Sequence, residues 1–462
     1  MPAGNRSFDP VKIPVVGGGL AGCEAAWQLA ERGHDVVLLE MRPARQTPAH
    51  KTDWLAELVC SNTFKSTEPT NAHGLLKAEM RLLGSMVLQA ADDSRVPGGT
   101  ALAVDREIFA RAVSARVQGH QRITIERREV TAVPSPAIIA TGPLTSDALA
   151  ESVRARLGMA SLSFYDAIAP IVAAESIDHD IAFRASRYDK ETMPGAAFRE
   201  AGAGSYLNCP MTRDEYEAFI DALLAAEQFV THDFDHVPYF EGCMPIEEMA
   251  RRGRDTLRFG PMKPVGLKDP RSGRRPYAVV QLRQEDRAGR MWNLVGFQTR
   301  MRYPEQARVC RMIPGLGSAE FHRFGSIHRN AYLNASASLA PHLALRDDPR
   351  VLFAGQLTGV EGYTESTATG LVAAINLARM LDGQDPVLPP PTTMLGALYR
   401  YLREADPAHF QPMNANFGLV DELPESIRDK RLKRERFAER ALEHMAEFGR
   451  LVAGSRLSTV AT

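Results

Sequence analysis

Five cysteines (Cys23, Cys60, Cys209, Cys243 and Cys310) are the most reactive side chains of this sequence, and their settings sort them. None belongs to a C-x-x-C pair, so neither a usual zinc site nor a disulfide framework is expected, and no metal is assigned. Cys243 stands in Glu241-Gly242-Cys243-Met244-Pro245-Ile246-Glu247-Glu248-Met249-Ala250-Arg251-Arg252-Gly253. A proline in the first turn, two carboxylates behind it, two arginines in the last turn and a closing glycine spell a helix. A thiol at the positive end of a helix is favoured as thiolate, which makes Cys243 a candidate nucleophile; a buried structural thiol is the alternative. Cys60 ends the run Trp54-Leu55-Ala56-Glu57-Leu58-Val59 and is followed by polar residues, a second candidate with the same alternative. Cys23 lies inside an expected helix and reads as packing, Cys310 reads as core, and Cys209 reads either way.

The element that would position such chemistry is a dinucleotide turn. Lys12–Val16 reads as a buried strand, Gly17-Gly18-Gly19-Leu20-Ala21-Gly22 follows, and a helix runs from Cys23 to Arg32. A second strand, His34–Leu39, ends on Glu40, with Arg42 just beyond. In G-x-G-x-x-G the first glycine makes the turn, the second admits the pyrophosphate, and the third lets helix and strand pack closely. The bare N–H groups of the helix start then face the phosphates. Glu40, eighteen residues after Gly22, is placed to accept from ribose hydroxyls. Two later segments favour tightly held FAD over a lone nicotinamide: Ala140-Thr141-Gly142 after an apolar strand, and Val351–Gly355 before a glycine-led helix expected at Thr367–Leu381. Gln356 stands where flavoproteins often carry Asp. Cys60, just past the second strand, falls near where a flavin ring would sit.

The expected fold is α/β, a Rossmann-like FAD-binding domain with an inserted α+β domain. Residues 1–172 and 301–462 would form the FAD-binding domain, the latter ending in a basic helical tail, and 173–300 the substrate- and RNA-facing insertion. A helix at Val104–Val117, another at Thr212–Glu227, and strands at Ala278–Arg283 and Trp292–Gln298 complete the outline. In 462 residues, 44% are hydrophobic and 24% charged, with 55 basic against 56 acidic residues, so disorder is excluded and any nucleic-acid binding must be a local patch. With no apolar leader and no apolar run of membrane length, a cytoplasmic location is expected.

Several strings together resemble one family. They include Leu58-Val59-Cys60-Ser61-Asn62, Ala101-Leu102-Ala103-Val104-Asp105-Arg106, Glu241-Gly242-Cys243-Met244-Pro245-Ile246-Glu247, His328-Arg329-Asn330 and Gly355-Gln356-Leu357-Thr358-Gly359-Val360-Glu361-Gly362-Tyr363. From Lys12 to about Leu381 the chain resembles the TrmFO family of folate- and FAD-dependent tRNA (uracil-5-)-methyltransferases. The resemblance implies 5-methyluridine formation at T-loop position 54 of tRNA. The carbon would come from 5,10-methylenetetrahydrofolate, and the electrons from NADPH or NADH through FAD. It also implies that Cys60 and Cys243 are the two family cysteines and that Tyr363 lies near the isoalloxazine. Thiolate addition at uracil C6 would make C5 nucleophilic. Cys243 is the expected nucleophile and Cys60 the acid/base partner or second thiol.

RNA would be met by residues 251–275, where nine Arg or Lys face two acids, with Arg251, Arg252, Arg254 and Arg258 leading. Residues 428–440 hold seven more basic residues among three acids. The competing readings are the same chemistry on a ribosomal-RNA uridine and a plain NAD(P)H-dependent flavin oxidoreductase.

Overall fold

A computed structural model of the chain describes residues 12–47, 49–158, 162–189, 204–229 and 244–453. Five parallel strands form the first sheet, in the order Val351–Phe353, Ala137–Ile139, Ile13–Val16, Val36–Glu40, Ile123–Arg127. Val16 lies opposite both Leu39 and Ile139, and Leu352 opposite Ile138, so the three segments read as nucleotide-binding end side by side. Every residue of Val36–Glu40 is buried, as a parallel strand covered on both faces requires. The architecture is the Rossmann-like α/β fold expected.

The helix after the glycine turn is Leu20–Glu31, beginning three residues before Cys23, because Gly19 is already its extended N-cap. The helix expected from Val104 begins instead at Arg106. Asp105 caps it, accepting from the N–H groups of Glu107 and Ile108 at 3.0 Å, so Val104 ends the strand Ala101–Val104. The late helix is Tyr363–Leu381, one turn longer than its apolar run, and it packs along Leu20–Glu31. Gly370 makes that approach possible, since a Cβ there would overlap the backbone of Ala21.

The second sheet has six strands in the order Phe183–Arg184, Tyr206–Met211, Ala278–Gln284, Met291–Leu294, Ile171–Ala173, Phe321–Arg323, all antiparallel. Strands from either side of 173–300 therefore complete it. The helix Arg213–Ala225 starts with a Thr212–Glu215 capping box and buries Tyr216, Phe219, Ile220 and Leu223 in a separate core. The strand expected at Trp292–Gln298 stops at Leu294 because the chain turns at Gly296, whose φ is 76°.

Residues beyond the proline-rich stretch join the first core. The buried Glu79 carboxylate accepts the leading N–H groups of helix Met394–Glu404, from Met394 at 2.7 Å and Leu395 at 2.8 Å. The basic helix Lys430–Ala453 lays Phe437, Ala441, Met445 and Phe448 against this core and packs on helix Ala72–Leu82, so its charged residues form a solvated face.

Gly370→Ala should lower the thermal unfolding midpoint, because the added methyl forces apart two helices of the nucleotide domain at a cost of about 1–3 kcal/mol. Gly119→Ala, at a helix end where a Cβ meets nothing within 4 Å, should leave it nearly unchanged. Circular dichroism melts of the three proteins compare them directly.

Candidate cofactor cleft and cysteine site

The glycine turn has the geometry a pyrophosphate needs. Gly17 has φ of 103°, and a Cβ there would press on Ala140 and Thr141 of the neighbouring strand end. A Cβ at Gly22 would overlap the Gly17 carbonyl, so this glycine seals helix to strand, whereas Gly19 faces open space with nothing within 4 Å. No side chain caps the Leu20–Glu31 helix, which leaves its first N–H groups for a ligand. Beside the turn opens a cleft lined by Gly17–Gly19, Glu40, Arg42 and Thr141 among others. Gly142 follows at φ 66°. Across the turn, the Gly355 N–H donates to Thr369 Oγ1 at 2.7 Å, and Gln356 Nε2 donates to Glu361 at 3.2 Å. Gly355 approaches Ala21 so closely that its Cβ would lie 3.1 Å from the alanine's. The open cradle at Gly19 and the three converging segments fit a dinucleotide such as FAD.

Glu40 is held at the cleft wall. Its Oε2 accepts the Gly18 N–H at 2.8 Å, and its Oε1 accepts Arg42 N and Nε, each at 3.0 Å. Burial works to raise its pKa, but the Arg42 contacts and the Gly18 N–H prevail and keep the carboxyl below its ordinary range. Arg42 also donates to Glu57 at 3.1 Å, so Glu40 is one end of a fixed chain.

Cys60 and Tyr363, 303 residues apart, meet: the Cys60 and Ser61 N–H groups donate to Tyr363 Oη at 2.9 and 3.1 Å. Burial first, and then the nearby Cys60, push the tyrosine hydroxyl far above its ordinary value, so it stays protonated. Arg106 donates to the carbonyls of Leu58 and Cys60 at 3.1 and 3.3 Å. The half-buried Cys60 thus sits on a backbone gripped from both sides. The other three described cysteines are buried, and burial raises each thiol, Cys209 and Cys310 to about 12. That leaves Cys209, open from sequence, as packing.

The same loop ties the two units together. Asn62, fully buried, donates to the carbonyls of Val104 and Gln284 at 3.0 and 2.9 Å and accepts from Arg283 at 2.7 Å. Arg106 pairs with Glu285 at 2.7 Å, and the Arg287 N–H donates to Asp105 at 3.0 Å. Sequence reading assigned no role to Asn62, Arg106 or Glu285. The available signal is positional: Asn62 lies two residues past Cys60, just before the strand Thr63–Ser66, and Arg106 opens a helix capped by Asp105.

Cys243 falls outside the described residues. The helix expected after it is present as Ile246–Arg251 with Pro245 as N-cap, six residues long. Of the arginines expected to meet RNA, Arg251 pairs with Glu248, Arg254 with Glu217 and Asp221, and Arg258 with Asp255 while lying over the Tyr277 ring. Arg252 alone of the four has no carboxylate partner among the described residues, and it is exposed.

In the first turn of the Tyr363 helix, Glu365 Oε1 contacts His73 Nδ1 at 3.1 Å and accepts the Ala415 N–H at 3.0 Å. Burial opposes the charge, but His73, Lys65 and this N–H bring its pKa from 4.5 to about 2. A carboxyl depressed in the folded state stabilises above its unfolded pKa and loses that contribution as pH falls through the folded one. The unfolding-midpoint gap between the protein and Glu365→Gln should therefore be full above pH 4.5 and close toward pH 2. A pH series of thermal melts measures it.

The family model described as Glucose inhibited division protein A (GIDA) matches residues 12–385. The Geobacter sulfurreducens protein named methylenetetrahydrofolate--tRNA-(uracil-5-)-methyltransferase TrmFO is 56% identical over 435 residues, 94% of this chain and 98% of its own. The Desulforudis audaxviator protein of the same name is 55% identical over 437 residues, 94% of this chain and 97% of its own. The solved GidA of Aquifex aeolicus (form II crystal) has a TM-score of 0.67 at 16% identity, covering 98% of this chain and 75% of that one, a likeness of fold. With that model spanning most of its length and relatives this similar nearly end to end, the chain belongs to the GIDA family and, within it, to the TrmFO proteins.

Proposed function

We propose that the protein methylates C5 of the uridine at T-loop position 54 of tRNA. In this reading 5,10-methylenetetrahydrofolate supplies the carbon, and FAD reduced by NADPH or NADH supplies the electrons. The observation that carries the reading is the meeting of Cys60 with Tyr363 beside a glycine cradle, in a chain more than half identical to methyltransferases of that name.

Cys243 adds as thiolate to uracil C6, and the electron pair displaced onto the ring makes C5 able to take the methylene carbon. The C5 proton then leaves to Cys60, whose loop is fixed by Tyr363 and Arg106, and the electron pair left behind expels the folate nitrogen, which takes up a proton, leaving an exocyclic methylene on the uracil. FAD, when bound and reduced, would supply the hydride equivalent that completes the methyl group. Loss of the Cys243 sulfur from C6 restores the aromatic pyrimidine. Gly17–Gly22 would hold the cofactor's pyrophosphate and Glu40 its ribose, and Thr141, Gly142, Gly355, Gln356 and Tyr363 would hold the rest of it. Uridine must leave its stack to present C5. Among the described helices none is long and apolar enough to cross a membrane.

Incubation of the FAD-loaded protein with unmodified tRNA, methylenetetrahydrofolate and NADPH should yield 5-methyluridine by nucleoside analysis. NADPH oxidation without that product would reject the reading in favour of a plain flavin oxidoreductase. Cys243→Ala should abolish product. Cys60→Ala should slow exchange of the uracil C5 hydrogen with solvent, and unchanged exchange and turnover would remove Cys60 from the proton step.

For RNA contact, an arginine already paired must give up its carboxylate to bind a phosphate. Arg252→Ala should therefore weaken tRNA binding more than Arg254→Ala, and should reduce the slope of log affinity against log salt by about one phosphate contact, or 0.7–0.9. Filter binding at several salt concentrations reads both.

A further inference from the structure

Lys77, on helix Ala72–Leu82, is fully buried and has no carboxylate within ion-pair distance among the described residues. Its Nζ donates instead to two backbone carbonyls, those of Phe64 and His73, each at 2.7 Å. The His73 bond stays within the helix, whereas the Phe64 bond reaches the strand Thr63–Ser66, into which the Cys60 loop runs. An apolar side chain would fill the same space without the cost of burying an amine, so packing of the helix does not account for Lys77. Burial pushes its ammonium down to about 7, against the charge of Glu365. Either protonation state keeps the two N–H groups that the two carbonyls use.

The Phe64 carbonyl belongs to a strained stretch of backbone. Lys65 has a φ of 63°, in the left-handed region that favours glycine, and the pairing of this strand with Ala101–Val104 shifts register between Thr63 and Ser66. The φ of Lys65 sets the orientation of the Phe64–Lys65 peptide. Two side chains donate to the oxygen of that peptide, Lys77 at 2.7 Å and Thr364 Oγ1 at 3.4 Å, and its N–H donates to Thr63 Oγ1 at 3.0 Å. The bend seats the buried Phe64 ring 5.5 Å from that of Phe109 and 5.7 Å from that of Tyr363. Tyr363 in turn accepts the Cys60 and Ser61 N–H groups.

We propose that Lys77 is a positioning residue for the cysteine site. By gripping the Phe64 carbonyl it keeps Lys65 in its left-handed bend, the Phe64 ring against Tyr363, and the Tyr363 hydroxyl on the Cys60 backbone. The consequence for turnover rests on the methyltransferase reading, in which Cys60 takes the C5 proton. Without the amine, the Phe64–Lys65 peptide turns over to relieve Lys65 and Phe64 leaves the tyrosine ring. The Cys60 backbone then loses its hold on Tyr363 and keeps the one on Arg106. Glycine at 65 adopts the bend without strain and so makes the amine dispensable. Alanine at 65 removes the lysine side chain equally but leaves the strain in place.

Amide hydrogen exchange of the FAD-loaded protein, resolved to single amides by mass spectrometry, tests this chain of contacts. The proteins compared are wild type, Lys77→Met alone and combined with Lys65→Gly or Lys65→Ala, and Leu75→Ala, a buried change on the same helix. Lys77→Met should speed exchange at Cys60 and Ser61 about tenfold beyond its effect on the rest of the nucleotide unit, the order of one lost hydrogen bond. Lys65→Gly in that background should bring the rate back toward wild type, and Lys65→Ala should not. Leu75→Ala should raise exchange without singling out those two amides. With unmodified tRNA, Lys77→Met should slow exchange of the uracil C5 hydrogen and lower kcat at constant KM for tRNA, again restored by glycine at 65. Should Lys77→Met not fold, Lys77→Gln, with N–H donors on a shorter arm, carries the same comparison. Unchanged exchange at Cys60 and Ser61, a pattern like that of Leu75→Ala, or equal behaviour of glycine and alanine at 65 would overturn the proposal. If wild type makes no 5-methyluridine yet the amide pattern appears, the methyltransferase reading has failed and the positioning role has not.

Discussion

The hydroxyl of Tyr363 accepting the N–H groups of Cys60 and Ser61 is the contact on which the geometry of the site depends. It joins the start of the Tyr363–Leu381 helix to a loop 303 residues earlier in the chain. It requires the Tyr363–Leu381 helix to be pressed onto the glycine-turn helix, where only a glycine at 370 fits against Ala21. It also requires the helix start to be anchored, which Glu365 achieves by accepting from His73 and the Ala415 N–H. The phosphate cradle and the cysteine loop are therefore parts of one packed arrangement, since the helix that seats against the cradle is the helix that carries the tyrosine.

Asn62 and Arg106 extend this arrangement into the second unit. Arg106 holds the Leu58 and Cys60 carbonyls together with the Glu285 carboxylate, and Asn62 holds the Val104 carbonyl together with the Gln284 carbonyl and Arg283 of the second sheet. Buried polar groups of this kind are costly when half-satisfied and rigidifying when complete, so the position of the second sheet relative to the cysteine loop is held to hydrogen-bond precision. The exception is Glu285 Oε1, where the network stops short at the edge of the interdomain cleft.

Legibility from sequence varied with the range of the determining interaction. The Gly17–Gly22 turn, Glu40 and the helix starting at Thr212 are legible because the residues that make them lie within a turn or one βαβ unit of each other. The Val104 helix start was misplaced because an apolar run was weighed above the Asp105 cap beside it. The strand beyond Leu294 was overextended because alternation persists through Gly296, where the backbone turns. Arg254 reads as part of a free basic patch because its carboxylate partners, Glu217 and Asp221, lie on another helix some thirty to forty residues earlier in the chain, whereas Arg251 and Arg258 pair with Glu248 and Asp255 on their own turns.

The amino-acid sequence by itself determined the dinucleotide cradle, the parallel sheet that carries it and the family of the chain, since these rest on local backbone requirements and ordered strings of residues. Only the tertiary structure decided which thiols are sealed and which charges are already spent on a neighbour. It also decided which side chains reach across domains to hold Cys60. Those properties depend on burial and on partners hundreds of residues away, and neither quantity is written in the spacing of residues along the chain.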